Sequence, residues 1–206
     1  MDLRGYTLGG LLLILQRGRY RMSHNFITTY TGKQINPFDP DPAMLDIVDI
    51  AHHLACLNRF CGALAAPYSV AEHSVMVSCL LSGRNALAGL LHDASEAYLC
   101  DLSTPIKHSP GMGTYREAEM RLQAAIFELF GVGDFDHEAV RRADEAMLHA
   151  EARDLFRTTP AWVDLELATR WPLTTANTMP WYFAEANFLA RFEALQAAAK
   201  RRAATN

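Results

Sequence analysis

Long hydrophobic runs are missing from this sequence. In its N-terminal region the longest is Leu11 to Leu15, far short of the roughly 20 residues a membrane span needs. No small-x-small cleavage site precedes Arg17-Gly18-Arg19, which argues against a secretory leader. Cysteine is scarce too. Cys56, Cys61, Cys79 and Cys100 form no CxxC pair and no disulfide framework, so they read as small buried hydrophobes in a reducing cytosol. Excess positive charge is also absent: a net charge of −4 and a pI near 6.0 supply no global field for nucleic acid. The Lys200-Arg201-Arg202 cluster is short and sits on a tail expected to fray. Neither Ser74 nor Ser95 lies in a G-x-S-x-G context, which removes a serine hydrolase. The expectation is a cytoplasmic protein with neither nucleic acid nor membrane as partner.

What is present suits one soluble globular domain: 206 residues, half of them hydrophobic and a fifth charged. Composition shifts at Met22, so residues 1–22 read as an extension or a non-native start and 23–206 as the domain. Residues 23–42 are rich in Thr, Pro, Gly and Asp and should be extended or looped, with Tyr30 and Lys33 on a surface loop. From Ala43 apolar residues recur at helical spacing through Cys56, with Gly62 as a stop. Ser69-Val70-Ala71-Glu72 fits a capping box that places His73 early in the next helix. Gly83 interrupts that helix, and Asn85 can cap the one that follows. Tyr115 to Phe130, Asp136 to Phe156 and Trp181 to Ala199 continue the helical pattern, with mostly irregular structure over 158–180. The sum is an all-α, single-domain bundle of five to six main helices.

The stretch Leu90 to Lys107 carries the chemistry. His92 and Asp93 follow four apolar or small residues, and on a helix they point about 100° apart, close enough to reach one ion. Glu96 lies one turn on. Asp101 and Lys107 lie beyond that helix, Lys107 past a break expected at Thr104-Pro105. Buried ionisable groups beside a core-like run are costly unless paired or bound to metal. His73 and Asp144 also sit on helices with apolar neighbours, Asp144 beside the stripe of Val140, Ala143, Met147 and Leu148. Two imidazoles and two carboxylates suit one divalent transition metal, Mn, Fe, Co or Zn, better than Ca. With only four protein ligands, positions remain for water and a substrate oxygen.

The order His73, then His92-Asp93, then Asp144 resembles the signature of the HD-domain metal-dependent phosphohydrolases. TYTGK at 29–33, DIAHHL at 49–54, NRF at 58–60, YSVAEHS at 68–74 and LLHDASEAYLCDLSTPIK at 90–107 are similar to its small bacterial and phage branch. That branch holds YfbR-like 5′-deoxynucleotidases and phage dATP triphosphohydrolases, and the likeness runs over residues 28–156. It implies an all-helical fold, a homodimer, and a metal held by His73, His92, Asp93 and Asp144. It also implies hydrolysis of a small-molecule nucleotide, with Glu96 and Asp101 as catalytic carboxylates. Arg59 and Lys107 match its phosphate-holding cations, and Phe60 stands where characterised deoxynucleotidases carry a sugar-packing Trp. His52 matches a family position too and reads as a supporting histidine; His24, His108, His137 and His149 read as structural. The expected substrate is a (deoxy)nucleoside 5′-monophosphate, with a dNTP triphosphohydrolase as the alternative. A guanosine tetraphosphate hydrolase fits less well, because Ala97 follows Glu96 where HDxxED is typical, and the GYP segment of HD-GYP phosphodiesterases is missing. The alternative from another class is a non-catalytic signalling module that kept the scaffold.

Overall fold

The computed structural model describes residues 25–169 and 178–204. The expected extension at 1–22, His24 and part of the 158–180 segment lie outside them. The described chain is built almost entirely of helices, as the apolar periodicity predicts.

It opens on a short antiparallel hairpin, β1 (Ile27–Thr28) and β2 (Gln34–Ile35), with Ile27 opposite Ile35 and Thr28 opposite Gln34. A pair this short needs support from elsewhere. The backbone N–H and hydroxyl of Thr31 donate to the buried Asp49 carboxylate at 2.7 and 2.9 Å, and Lys33 pairs with Asp46 at 2.9 Å. Tyr30 and Lys33 therefore serve the surface hairpin, as expected. Asp46 also caps helix α1 (Ile47–Cys56), accepting from the Val48 N–H.

Helix α2 (Val70–Cys79) begins at the expected capping box, with Ser69 and Glu72 exchanging both hydrogen bonds. Helix α3 (Gly83–Leu91) starts earlier than expected: Ser82 takes the cap position, and the Asn85 amide oxygen instead accepts from the Asp136 N–H. Where α3 crosses α2, a Cβ at position 89 would lie 2.5 Å from Leu81 Cδ1 and 3.4 Å from Val77 Cγ1, so a larger residue there would displace the Leu81 side chain. Two single turns follow, α4 (Glu96–Leu99) and α5 (Thr104–Lys107). Thr104-Pro105 thus begins a helix rather than breaking one, because proline in a first turn forfeits no hydrogen bond.

Long helices α6 (Gly113–Leu129), α7 (His137–Leu155, capped by Asp136) and α8 (Trp181–Ala204) complete the bundle. Helix α8 packs across α1, α2 and α3, burying Ala184 and Phe188 against Ile50, Leu54, Leu90 and Leu91. Each large side chain removed from water there contributes about 1.5–3 kcal/mol.

Two expectations need correction. All four cysteines are exposed, because each falls at the outer end or on the rim of its element rather than on the inward stripe. Helix α1 also stops at Cys56. Asn58 instead bridges to Ser69, and Arg59–Gly62 form a tight turn with Phe60, Cys61 and Gly62 all in the left-handed region. No helix among the described residues is long and apolar enough to cross a membrane.

Candidate metal centre

His73 is the fourth residue of α2, His92 and Asp93 directly follow α3, and Asp144 is the eighth residue of α7. The HD pair therefore sits on the turn that leaves α3, not within the helix as expected. His92 keeps right-handed helical angles, so the relative directions of the two side chains survive. Gln123 of α6 clamps this turn from outside: its Nε2 donates to the Leu91 carbonyl at 2.7 Å, and its Oε1 accepts from the Ser95 N–H at 3.0 Å.

Three of the four predicted ligands form one compact group, and the fourth, Asp144, lies beside its two histidines. His73, His92 and Asp93 present ligand atoms that all lie within 4.8 Å of one another. His73 Nε2 is 3.3 Å from His92 Nε2 and 3.7 Å from Asp93 Oδ2, and His92 Nε2 is 3.2 Å from Asp93 Oδ2. Asp144 Oδ1 lies 3.1 Å from His73 Nε2 and 3.6 Å from His92 Nε2. Burial grades across the cluster, from the His73 side chain at 0% exposure to Asp144 at 41%. The centre is closed beneath and open beside Asp144.

Which ring nitrogen faces inward is settled by what the other one meets. His73 Nδ1 is 2.7 Å from Glu151 Oε1, and His92 Nδ1 is 2.8 Å from the Gly89 carbonyl oxygen. Both partners can only accept, so each Nδ1 carries a proton, and in its neutral form each ring offers a lone pair inward at Nε2. Burial and Arg59 act to lower the His73 pKa, but Glu151 and Asp144 raise it overall. Burial likewise opposes protonation of His92, and Asp93 and Asp144 push its pKa well above the ordinary imidazole value. Burial alone would raise both aspartates, yet the histidines beside them hold them below the usual carboxylate range. This donor set fits a transition-metal dication. Bonds of about 2.0–2.2 Å to nitrogen and oxygen imply ligand separations near those observed, and the positive charge the cluster attracts is the one a metal supplies.

Glu151 is a residue that sequence reasoning missed. It is wholly buried and accepts from both His73 Nδ1 and Arg59 Nε, the latter at 3.0 Å. Arg59 overcomes the burial penalty and holds its carboxyl below the usual range. The available signal was spacing, since Glu151 lies seven residues after Asp144, two turns along the same face.

The centre opens into a cleft of about 480 Å³ that Asp93 and Asp144 line on one side. Arg59, Phe60, Glu96, Asp101 and Lys107 line the same cleft, so every residue singled out for substrate or catalysis reaches it. Glu96 is buried, Oε1 lies 3.5 Å from Lys107 Nζ, and Oε2 has no hydrogen-bond partner among the described residues. Burial, then Asp93 and Asp101, push its carboxyl well above the ordinary range. Burial also raises Asp101. Lys107 is anchored by Glu119 at 2.7 Å, and Arg59 stacks over the Phe60 ring with Cζ 5.4 Å from the centroid. His52 and His53 stay outside. His52 pairs with Glu185 at 2.9 Å and stacks on Tyr30, while His53 joins the Tyr30 N–H to the Ala97 carbonyl. Trp162 completes the cleft wall, and nothing in its proline-flanked segment marked it beforehand.

No family model matches the chain. It is 39% identical over 132 residues to an uncharacterized protein of Rhodobacter capsulatus, covering 60% of this chain and 67% of that one. It is 37% identical over 131 residues to the uncharacterized protein YfdR of Escherichia coli (strain K12), covering 64% of this chain and 72% of YfdR. With that identity over that share of the relative, the chain belongs to the family of YfdR.

Proposed function

We propose that this chain is a divalent-metal-dependent phosphohydrolase of the HD-domain type, acting on (deoxy)nucleoside 5′-monophosphates in the cytoplasm as a homodimer. One observation carries the reading. Two imidazole Nε2 atoms 3.3 Å apart each lie within 3.1–3.7 Å of an oxygen of Asp93 and of Asp144, beside a cleft that also presents Arg59, Lys107 and Glu96. His73, His92, Asp93 and Asp144 would hold Mn, Co, Fe or Zn. Once bound, the dication would polarise a phosphate oxygen and acidify a water molecule.

The chain's own groups do the rest. Arg59 and Lys107 neutralise the phosphoryl oxygens as charge develops on them. Glu96 holds the attacking water in line, and Lys107 3.5 Å away, together with a bound dication, would favour the ionised carboxylate that can take its proton. Asp101, on the same wall, is a second acceptor near that water. Charge favours a monophosphate over a triphosphate. Arg59 and Lys107 are the cations lining the cleft among the described residues, and they face Asp93, Glu96, Asp101 and Asp144. A dianion balances that set better than a tetra-anion does.

The test is a screen of purified protein, loaded with Mn²⁺ or Co²⁺, against dNMPs, NMPs and dNTPs. Phosphate assay and ion chromatography read the products. Inorganic phosphate from monophosphates supports the reading, and tripolyphosphate from dNTPs replaces it with the triphosphohydrolase. No product, with less than one tightly held ion per chain, replaces it with a non-catalytic module. Light scattering reads the dimer.

A further inference from the structure

Part of the cleft lining is apolar and is left unused by the phosphate chemistry. Leu148 follows Asp144 by four residues on α7, one turn or about 5.4 Å along the same face, and it lines the cleft together with Phe60 and Trp162. Trp162 is 53% exposed, a large apolar surface to leave in water, but it is held in place. Its ring meets that of His149 at 5.8 Å, and the buried His149 accepts the Asp164 N–H at 3.0 Å. The Val163 N–H closes a turn on the Pro160 carbonyl at 3.1 Å, and the Thr169 N–H returns to the Ala146 carbonyl at 3.0 Å. The segment after α7 is thus pinned back onto α7, with an indole at the cleft wall. Phe60, in the same lining, is fixed by left-handed backbone angles (φ 54°, ψ 33°) and by the Phe156 ring 5.2 Å away.

We infer that Trp162 is the stacking platform for the leaving group, and that the preferred substrate is a phosphate monoester carrying a flat aromatic base. The inference rests on the phosphohydrolase reading for where the phosphate sits. Leu148 and Phe60 pack around the sugar and base edge, and the indole face takes the ring. Stacking tolerates any base, so the site selects for the presence of a base more than for its identity.

Isothermal titration into Mn²⁺-loaded protein carrying Glu96→Ala, which blocks turnover, tests it with dAMP and with 2-deoxyribose 5-phosphate. Adding Trp162→Ala is expected to weaken dAMP roughly ten- to a hundredfold. It should leave the baseless ester within about twofold, while Trp162→Phe keeps most of the dAMP affinity. Metal content of one ion per chain confirms that the variants are folded. Equal losses for both ligands, no loss, or dAMP binding no tighter than the baseless ester in the Trp162 protein overturns the platform. Failure of hydrolysis alone reads separately: tryptophan-dependent dAMP binding without phosphate release by the Glu96 protein removes the hydrolase and keeps the platform.

Discussion

Glu151 accepts a 2.7 Å hydrogen bond from Nδ1 of His73, and both side chains are closed to solvent. The second Glu151 oxygen takes Arg59 Nε at 3.0 Å, so one buried carboxylate fixes both a candidate ligand imidazole and a cleft cation. Each partner that reorients gives up its close contact with this buried carboxylate. Glu151→Gln is expected to lower metal affinity about 10- to 100-fold, since its amide can still accept from His73 but opposes Arg59 with a donor. Glu151→Ala should also cost stability, by about 3–5 kcal/mol, because it removes the close buried partner of Arg59 and leaves only the longer 3.6 Å contact with Asp93. Titration with Mn²⁺ and urea unfolding measure the two effects. Unchanged metal affinity in the Gln variant would separate Glu151 from the centre.

Glu96 stands in the opposite situation, a carboxylate kept in place against its own solvation. Burial, Asp93 and Asp101 all disfavour its charge, and one of its oxygens has no hydrogen-bond partner among the described residues. Such a group costs stability and is tolerated where chemistry needs it. Glu96→Ala is expected to abolish turnover while metal content stays at one ion per chain. Glu96→Gln should unfold at the parent temperature or about 2–4 °C higher, equivalent to ~1 kcal/mol for a chain of this size. Loss of the metal would move Glu96 into the ligand set.

The residues proposed to hold a metal stood out in the sequence because His73, His92, Asp93 and Asp144 interrupt apolar stripes, where an unpaired charge is costly. Helices α6, α7 and α8 were legible for the same periodic reason, and α2 from its capping box. Glu151 was not. It sits among Glu138, Glu145 and Asp154 on one charged helix, and only the approach of α2 and of the Arg59 turn distinguishes it. The two-residue strands and the single turns α4 and α5 are too short for any period to register. Exposure of the cysteines likewise depends on tertiary placement, for which composition is a weak guide.

Acid should loosen the hairpin before the bundle. Hydrogen bonding by Lys33 lowers the Asp46 pKa, against a smaller burial effect, and the same carboxylate caps α1. A carboxyl whose folded pKa is depressed contributes stability above its unfolded pKa of 3.8, and that contribution is lost as pH falls through the lower folded value. Asp46→Asn retains a capping oxygen and should remove the Lys33-dependent share of this acid sensitivity. Asp46→Ala also loses the cap, at about 1 kcal/mol. Thermal unfolding between neutral and acid pH reads both. Parallel pH curves for parent and Asn variant would assign the acid sensitivity to other carboxylates.

Gln123 gives the strictest test of whether the turn after α3 is a positioned element. It touches none of the four ligands, yet its amide spans the turn, from the Leu91 carbonyl to the Ser95 N–H. Gln123→Ala releases both groups at once, at about 1–3 kcal/mol for polar groups left without partners. It also frees His92 and Asp93 to move while leaving every ligand atom present. Metal affinity should fall about tenfold, with metal still saturating at one ion per chain. Gln123→Glu should do worse than Ala for metal, because a carboxylate facing the Leu91 carbonyl pushes the turn away where Ala leaves it slack. Equal metal affinity in all three proteins would mean that α3 and the Gly89 contact to His92 hold the pair unaided.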